Sequence, residues 1–408
     1  MSSKPHFYFL TQYYPPETGA PQNRLHSLAS FLAGQGFWVR VFTAMPNYPT
    51  NQIHEGYRGR WRADEFVDGV EVFRSWIFVP RSRKIVPRLL NYFSFVASSF
   101  FRLLFSRKAE FLFCESPPLF LGITAVVISR IKGMKLIFNV SDLWPESAEK
   151  LGLVSNTTVL KLAYGLEKGI YRKSWLITGQ TKGIVNSIQS KVPDKKVVWL
   201  PNGFDADFVT APASMDWRNA WHCKPNEFVV LYAGIVGHAQ GLDVVLQAAR
   251  EFQPGQLRFV IAGDGPEKSG LQARAKELGL SNVVFQDHVP RREMAGMIQA
   301  CSAFVVPLRK LDLFKGAIPS KLFEPLALGK PILLGVDGEA RELFIDEGKA
   351  GVAYAPDDSK DLAEGIRWLM QNPSEVARLG ENGRTYVHTF FNRAQIHGSF
   401  LTHLNPGA

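Results

Sequence analysis

Cysteine is scarce in this chain and unpatterned. Of 408 residues only Cys114, Cys223 and Cys301 are cysteines, with neither pairing nor metal-ligand spacing. That excludes a disulfide scaffold and a cysteine-based metal module, and the three read as buried thiols in a reducing compartment. Long apolar runs are also missing: nothing approaches the roughly 20 residues a membrane-spanning helix needs. The N-terminal "MSSKPHFYFLTQYYPPE" has one lysine and a short apolar run that meets two prolines, which is not a secretory signal. A convincing Asp-x-Asp metal motif is lacking too, since "DAD" at 205–207 falls in a turn-rich stretch between the two halves of the chain. Acidic residues are scarce in the first half. Residues 1–196 hold 26 Lys+Arg against 13 Asp+Glu, whereas the remainder holds 21 against 24. Two halves of opposite sign suggest two domains facing different partners, and the positive one calls for an anionic partner.

What is present is ordinary for a globular protein, 46% hydrophobic and 21% charged, and long enough for two cores. Short β-branched and aromatic runs ("HFYFL", "FWVRVFTA", "VEVFRSWIF", "AEFLFC", "KLIFNV", "WLITG", "KVVWL") alternate with helical patterns. The second half repeats the scheme with "EFVVLYAG", "LRFVIAGDG", "NVVFQ", "AFVVPL", "PILLGV" and "GVAYA". This alternation predicts an α/β protein of two doubly wound, Rossmann-like domains. The expected limits are residues 1–200 for the first domain, 201–222 for a linker, 223–385 for the second domain, and 386–408 for a C-terminal helix crossing back to the first. Ligands are then expected at the carboxyl ends of the strands, in a cleft between the domains.

Several motifs carry chemistry. "YAGIVGHAQGLD" places Gly234, Gly237 and Gly241 between a strand and a helix, which either cradles phosphate or only connects the two elements. "TQYYPPETGAPQNR", with Gly19 before a helix near Pro21, either presents backbone N–H groups or is a rigid proline turn. In "IPSKLFEPLALGKPIL", Lys321 and Glu324 stand three residues apart on one expected helical face. Ser320 is an expected cap. The lysine and free N–H groups suit a diphosphate, and the carboxylate suits both hydroxyls of a ribose. The alternative is a surface ion pair. In "SDLWPES", Asp142 follows a strand end and Glu146 could reach the same space, as proton acceptor or support for positive charge developing at a reacting carbon. Otherwise Asp142 caps a turn. Residues 81–108 carry seven cations, among them Arg81, Arg83 and Lys84, and no acid. Within them "LLNYFSFVASSFF" includes Phe95, Phe100 and Phe101. Such a helix either lies on anionic lipid or covers the sheet.

In order, "YAG…QGLD", "IAGDGPEKSGL", "VVFQDHVPRREM", "CSAFVVPL" and "IPSKLFEPLALGKPIL" resemble the donor domain of glycosyltransferase family 4. "LTQYYPPETGAP", "MPNYPTNQIHEGYRG", "NVSDLWPESAEKLG" and "LPNGFD" are similar to its bacterial branch that builds surface polysaccharides, which includes N-acetyl-L-fucosaminyl and colanic-acid transferases. The resemblance implies the GT-B fold. It implies a retaining, metal-independent transferase without cofactor, peripheral on the inner face of the cytoplasmic membrane and binding no nucleic acid. The reaction would move a sugar, an N-acetylated deoxyhexosamine, from a UDP donor to an undecaprenyl-diphosphate-linked saccharide in polysaccharide or O-antigen synthesis.

By position, Glu324 would hold the ribose. Ser320, Lys321 and the loop of Gly234, Gly237, His238 and Gly241 would hold the diphosphate, and His288, Val289 and Pro290 would frame the base. Two departures stand out. Basic residues usual in the diphosphate loop are replaced by Ile235 and Gln240, and a glutamate usual eight residues before the ribose glutamate is Gly316. Lys315 and its loop are the candidates to substitute for that glutamate. A sugar-nucleotide epimerase of the same fold and a non-enzymatic basic binding protein are the rival expectations.

Overall fold

The strands are short, and many are apolar along their whole length. In the fifth, Phe111–Ser116, all six residues are buried. Continuous rather than alternating burial is what a parallel sheet covered on both faces requires. The computed structural model describes residues 4–48, 51–80, 85–150, 152, 154–210 and 215–404. It divides into two units, Met1–Asn202 with His397–Ala408, and Gly203–Ile396.

The first unit contains β1 (His6–Leu10), β2 (Trp38–Ala44), β3 (Arg62–Val67), β4 (Val70–Ser75), β5 (Phe111–Ser116), β6 (Lys135–Val140), β7 (Leu176–Gly179) and β8 (Val197–Trp199). They order as β3-β4-β2-β1-β5-β6-β7-β8. Every pairing is parallel except β3 with β4. The edge strand β3, "RADEFV", was not foreseen: two acids and an arginine in six residues hide its strand character, and the hairpin to β4 supplies it.

The second unit contains β9 (Phe228–Ala233), β10 (Leu257–Ala262), β11 (Val283–Gln286), β12 (Ala303–Pro307), β13 (Ile332–Gly335) and β14 (Gly351–Ala353), ordered β11-β10-β9-β12-β13-β14 and wholly parallel. In both sheets the order reverses beside the first strand, the switch point where doubly wound folds hold ligands.

Two expectations about the connections change. Residues 203–222 belong to the second unit rather than to a linker, because Phe204, Phe208, Trp217 and Trp221 are buried. The C-terminal segment is not one helix from 386. Helix Pro373–Phe390 ends, and Arg393–Leu404 begins after Phe391 and Asn392. Of the cysteines, Cys114 and Cys301 are buried but Cys223 is only half-buried.

Candidate active site

In the second unit the site begins where β9 runs out. Gly234 takes φ 147 and donates its N–H to Ala262 O at 3.0 Å. The chain then crosses the next strand's loop backbone to backbone. A Cβ on Gly263 would stand 2.0 Å from Gly234 O, and one on Gly265 would stand 2.2 Å from Val236 O. Only glycine allows that approach at these positive φ angles. Val236 N–H donates to the carbonyl of Asp264 at 2.9 Å and locks the crossing. Gly237 precedes the 3₁₀ turn His238–Gln240, and Gly241 closes it in the left-handed region at φ 58.

The stretch around Lys321 is not the helix its spacing suggested. Ser320–Leu322 is a 3₁₀ turn and Phe323–Ala327 a five-residue helix. Ser320 lies inside the turn and makes no capping hydrogen bond, so that expectation is corrected: the helix starts three residues later. The ion pair of Lys321 with Glu324 does not form either, because each has another partner. Lys321 Nζ donates to Tyr232 Oη at 2.7 Å and lies 4.2 Å from the centre of that ring. Tyr232 in turn donates its hydroxyl to the carbonyl of Ile235, inside the glycine loop. The lysine stem is partly exposed, but its amine is enclosed without a carboxylate, and that loss of solvation pushes its pKa down to about 7. Glu324 Oε1 accepts from Arg291 Nη1 at 3.0 Å. Arg291 also lies 3.5 Å from Asp205 Oδ2, which accepts from Arg393 Nη1 at 2.5 Å. Asp205 of the "DAD" stretch is thus taken up by arginines. Val289 is buried just before helix Arg291–Gln299, and His238 is exposed.

The substituted positions are also placed. A Cβ at Gly316 would meet nothing within 4 Å, so no steric demand keeps glycine there. Lys315 pairs with Asp312 at 2.7 Å on the surface. Sequence reasoning missed Tyr232 and Arg291. Tyr232 sits in an apolar strand and Arg291 beside a loop, with no spacing to mark them.

In the first unit the loop after β1 is tied down by Glu17. Its buried carboxylate accepts from the N–H groups of Tyr14, Asn47 and Tyr48 at 3.1, 2.7 and 2.9 Å. Burial raises its pKa while these bonds oppose the rise. Gly19 stands immediately before helix Ala20–Gly34 in extended backbone. Below this loop, Arg24 pairs with Glu115 at 2.6 Å, both buried. Ser141 and Asn139 also donate to Glu115, and Thr178 donates to Asn139 at 2.6 Å. This network joins the carboxyl ends of β5, β6 and β7 and fixes the residue before Asp142.

Asp142 Oδ1 accepts from Ser147 Oγ at 2.5 Å. The residue has an exposed surface, yet crowding around the carboxyl raises its pKa, with Ser147 and the Leu143 N–H opposing. Glu146 opens helix Glu146–Lys150 and pairs with Lys150 at 2.8 Å. Asp142 and Glu146 belong to one unit and Lys321 to the other. Among the described residues, no group of three His, Cys, Asp or Glu is arranged to hold a metal ion.

Of the proposed membrane contacts, Arg81, Arg83 and Lys84 lie outside the described residues. Phe95 is a correction: it is fully buried in the core of the first unit, because it falls on the inner face of helix Ile85–Leu104. Phe100 is half-buried against the same core, and Phe101 is 58% exposed.

Two glycosyltransferase models match the chain. Residues 19–203 match a glycosyl transferase 4-like domain and residues 214–386 match glycosyl transferases group 1. The chain belongs to the GT-B glycosyltransferases. It is 28% identical over 378 residues to WcaI of Escherichia coli K12, named as a colanic acid biosynthesis glycosyl transferase, covering 90% of this chain and 92% of that one. Among solved structures, sucrose-phosphate synthase from Thermosynechococcus elongatus superposes with TM-score 0.76 at 16% identity, covering 99% and 100% of the two chains. HepE of Anabaena, solved with UDP and glucose, gives 0.72 at 17%, covering 98% and 100%. These two show the shared GT-B fold. This glycosyltransferase therefore has both halves of its family's architecture.

Proposed function

We propose that this glycosyltransferase moves a sugar from a UDP-sugar to a lipid-linked saccharide in the synthesis of a bacterial surface polysaccharide such as an O-antigen. The observation that carries the donor half is Lys321: an enclosed amine with no carboxylate, lying against a glycine loop. A diphosphate leaving group is the partner such a cation lacks. Glu324, paired with Arg291 through Oε1, has Oε2 without a hydrogen bond among the described residues, and that oxygen suits a ribose hydroxyl.

The bond between the anomeric carbon and the diphosphate oxygen breaks, and a bond to the acceptor oxygen forms. Asp142 receives the acceptor proton, its raised pKa making it the stronger base, and Glu146 supports it. Lys321 and backbone N–H groups take the charge that grows on the diphosphate, which leaves no step that needs a metal. Retention at the anomeric carbon and an N-acetylated deoxyhexosamine follow from the family resemblance, and WcaI, a relative named for colanic acid synthesis, supports the polysaccharide setting.

Peripheral attachment to the inner face of the cytoplasmic membrane completes the reading. No helix of the described residues is long and apolar enough to cross a membrane. On helix Ile85–Leu104 an exposed stripe runs Val86, Leu90, Phe93, Phe101, followed by Phe105. Neighbouring helix Leu121–Lys132 adds Ile123, Val127 and Ile131. The three helices Ile85–Leu104, Leu121–Lys132 and Thr157–Lys173 contain one acid, Glu167, and it is buried. An apolar face on helices that carry cations, of which Arg102 is paired with Asp64 of the first sheet's edge strand, fits anionic lipid.

The test is to incubate the enzyme with nucleotide sugars and a lipid-linked acceptor. Transfer with retained configuration, read by NMR of the product, is expected. Epimerised donor without transfer, or no reaction with any nucleotide sugar, refutes the reading.

A further inference from the structure

The glycine loop and the helix after it, residues 234–249, contain neither lysine nor arginine. Their one acid, Asp243, pairs with Arg274 at 3.2 Å. The structure brings a cation to the loop from elsewhere. Arg309, in the segment after β12, donates its main-chain N–H to Ala239 O at 3.0 Å and Nε–H to His238 O at 2.8 Å. A Cβ on Gly241 would stand 3.0 Å from Asp357 Oδ1 and 3.1 Å from Arg309 Cγ, so the glycine is what lets both side chains lie along the turn. Asp357 steadies the arrangement by accepting from Lys310 N–H at 2.7 Å. Two bonds thus fasten Arg309, yet neither Nη has a hydrogen bond among the described residues. The side chain also lines a cavity of about 440 Å³ with Lys310, Asp312, Lys315 and Asp337.

We propose that Arg309 is a donor-binding residue, which supplies to the diphosphate of the nucleotide sugar the positive charge that the glycine loop lacks. The inference rests on the donor-site reading above. A guanidinium held by Nε keeps its two Nη groups oriented together, the geometry that suits a phosphate. It explains how this chain dispenses with cations at Ile235 and Gln240: the charge has moved to the next loop while staying on the same turn.

The experiment measures binding of UDP, GDP and uridine to the full chain and to two variants, after melting curves confirm folding. Arg309→Gln keeps an N–H for the His238 carbonyl and removes the charge; Arg309→Lys keeps the charge and gives up the fork. Arg309→Gln should weaken UDP by about tenfold or more, the loss expected of a charge-assisted contact, and leave uridine unchanged. Arg309→Lys should lose less. UDP affinity equal to the parent's in Arg309→Gln overturns the assignment. Equal loss for UDP and uridine in both variants overturns it too, because Arg309 then only shapes the loop. Should Arg309→Gln fail to fold, protection of Arg309 in the parent decides: UDP must shield it from phenylglyoxal, and unchanged labelling refutes the contact. A folded parent that binds neither nucleoside diphosphate refutes the donor-site reading itself, and Arg309 falls with it.

Discussion

Lys321 is the residue whose surroundings make the sharpest demand. Its amine is enclosed, with a hydroxyl and a ring as partners, so folding favours the neutral form and lowers the pKa from 10.5 to about 7. Between those two values the unfolded chain holds the extra proton, so this group makes stability rise with pH across that window. An arriving diphosphate reverses the preference and raises the pKa again. Donor binding at pH 8 should therefore take up close to one proton, and affinity should fall as pH rises above 7. Calorimetry in buffers of different ionisation enthalpy checks this: Lys321→Met should abolish the uptake, and a parent showing no linkage contradicts the enclosed amine. Glu324→Ala should weaken donor binding by about 1.5–3 kcal/mol, as for hydrogen bonds to a charged group. Substituting Lys321 should reduce turnover more than affinity, since leaving-group charge grows in the transition state. Variants with normal donor affinity and rate would remove both residues from the site.

The helix Ile85–Leu104 carries the contrast that its sequence alone blurred. Thirteen uncharged residues say that it is apolar, but which phenylalanine faces which way depends on what packs beneath. Phe95 enters the core, whereas Phe101 and Phe105 point to solvent. Phe95→Ser should cost about 3–5 kcal/mol, as other large-to-small core changes do, and lower the melting temperature. Replacing Phe101 and Phe105 together by Ser should alter stability by less than about 1 kcal/mol in total, given the roughly ±0.5 expected of each surface change. That double variant should nevertheless lose binding to anionic vesicles in co-sedimentation and keep its donor affinity. If it folds and sediments like the parent, the stripe is not the lipid contact.

The whole molecule adds an asymmetry of charge: residues 1–196 carry twice as many cations as acids, and the remainder a slight acidic excess. Binding to anionic vesicles should accordingly weaken as salt rises, because exposed charges are screened within about 10 Å at 0.1 M. Transfer should survive EDTA. Loss with EDTA that Mg²⁺ or Mn²⁺ restores would reveal a metal requirement.

Much of this architecture was legible along the chain. Strands buried on both faces need continuous apolar runs, and helices between them need their own period, so the α/β alternation and the two sheets could be read directly. The glycine loop at 234, 237 and 241 and the charges of Lys321 and Glu324 in an apolar stretch also stood out along the chain, because close backbone approach and isolated charge leave marks at short range; the donor-binding role given to them is the proposal above. Strand β3 was not legible, because its partner β4 provides what its own residues do not. Partners were decided only by tertiary structure. Spacing set Lys321 beside Glu324, but the fold gave the first Tyr232, 89 positions away, and the second Arg291. The same holds for Arg309, brought 71 positions to His238, and for the pairing of Arg24 with Glu115. Local sequence determines period, backbone freedom and the supply of charge. Which charge meets which depends on strand order, and hydrogen bonding at 3 Å between distant segments exists only once the sheet has assembled.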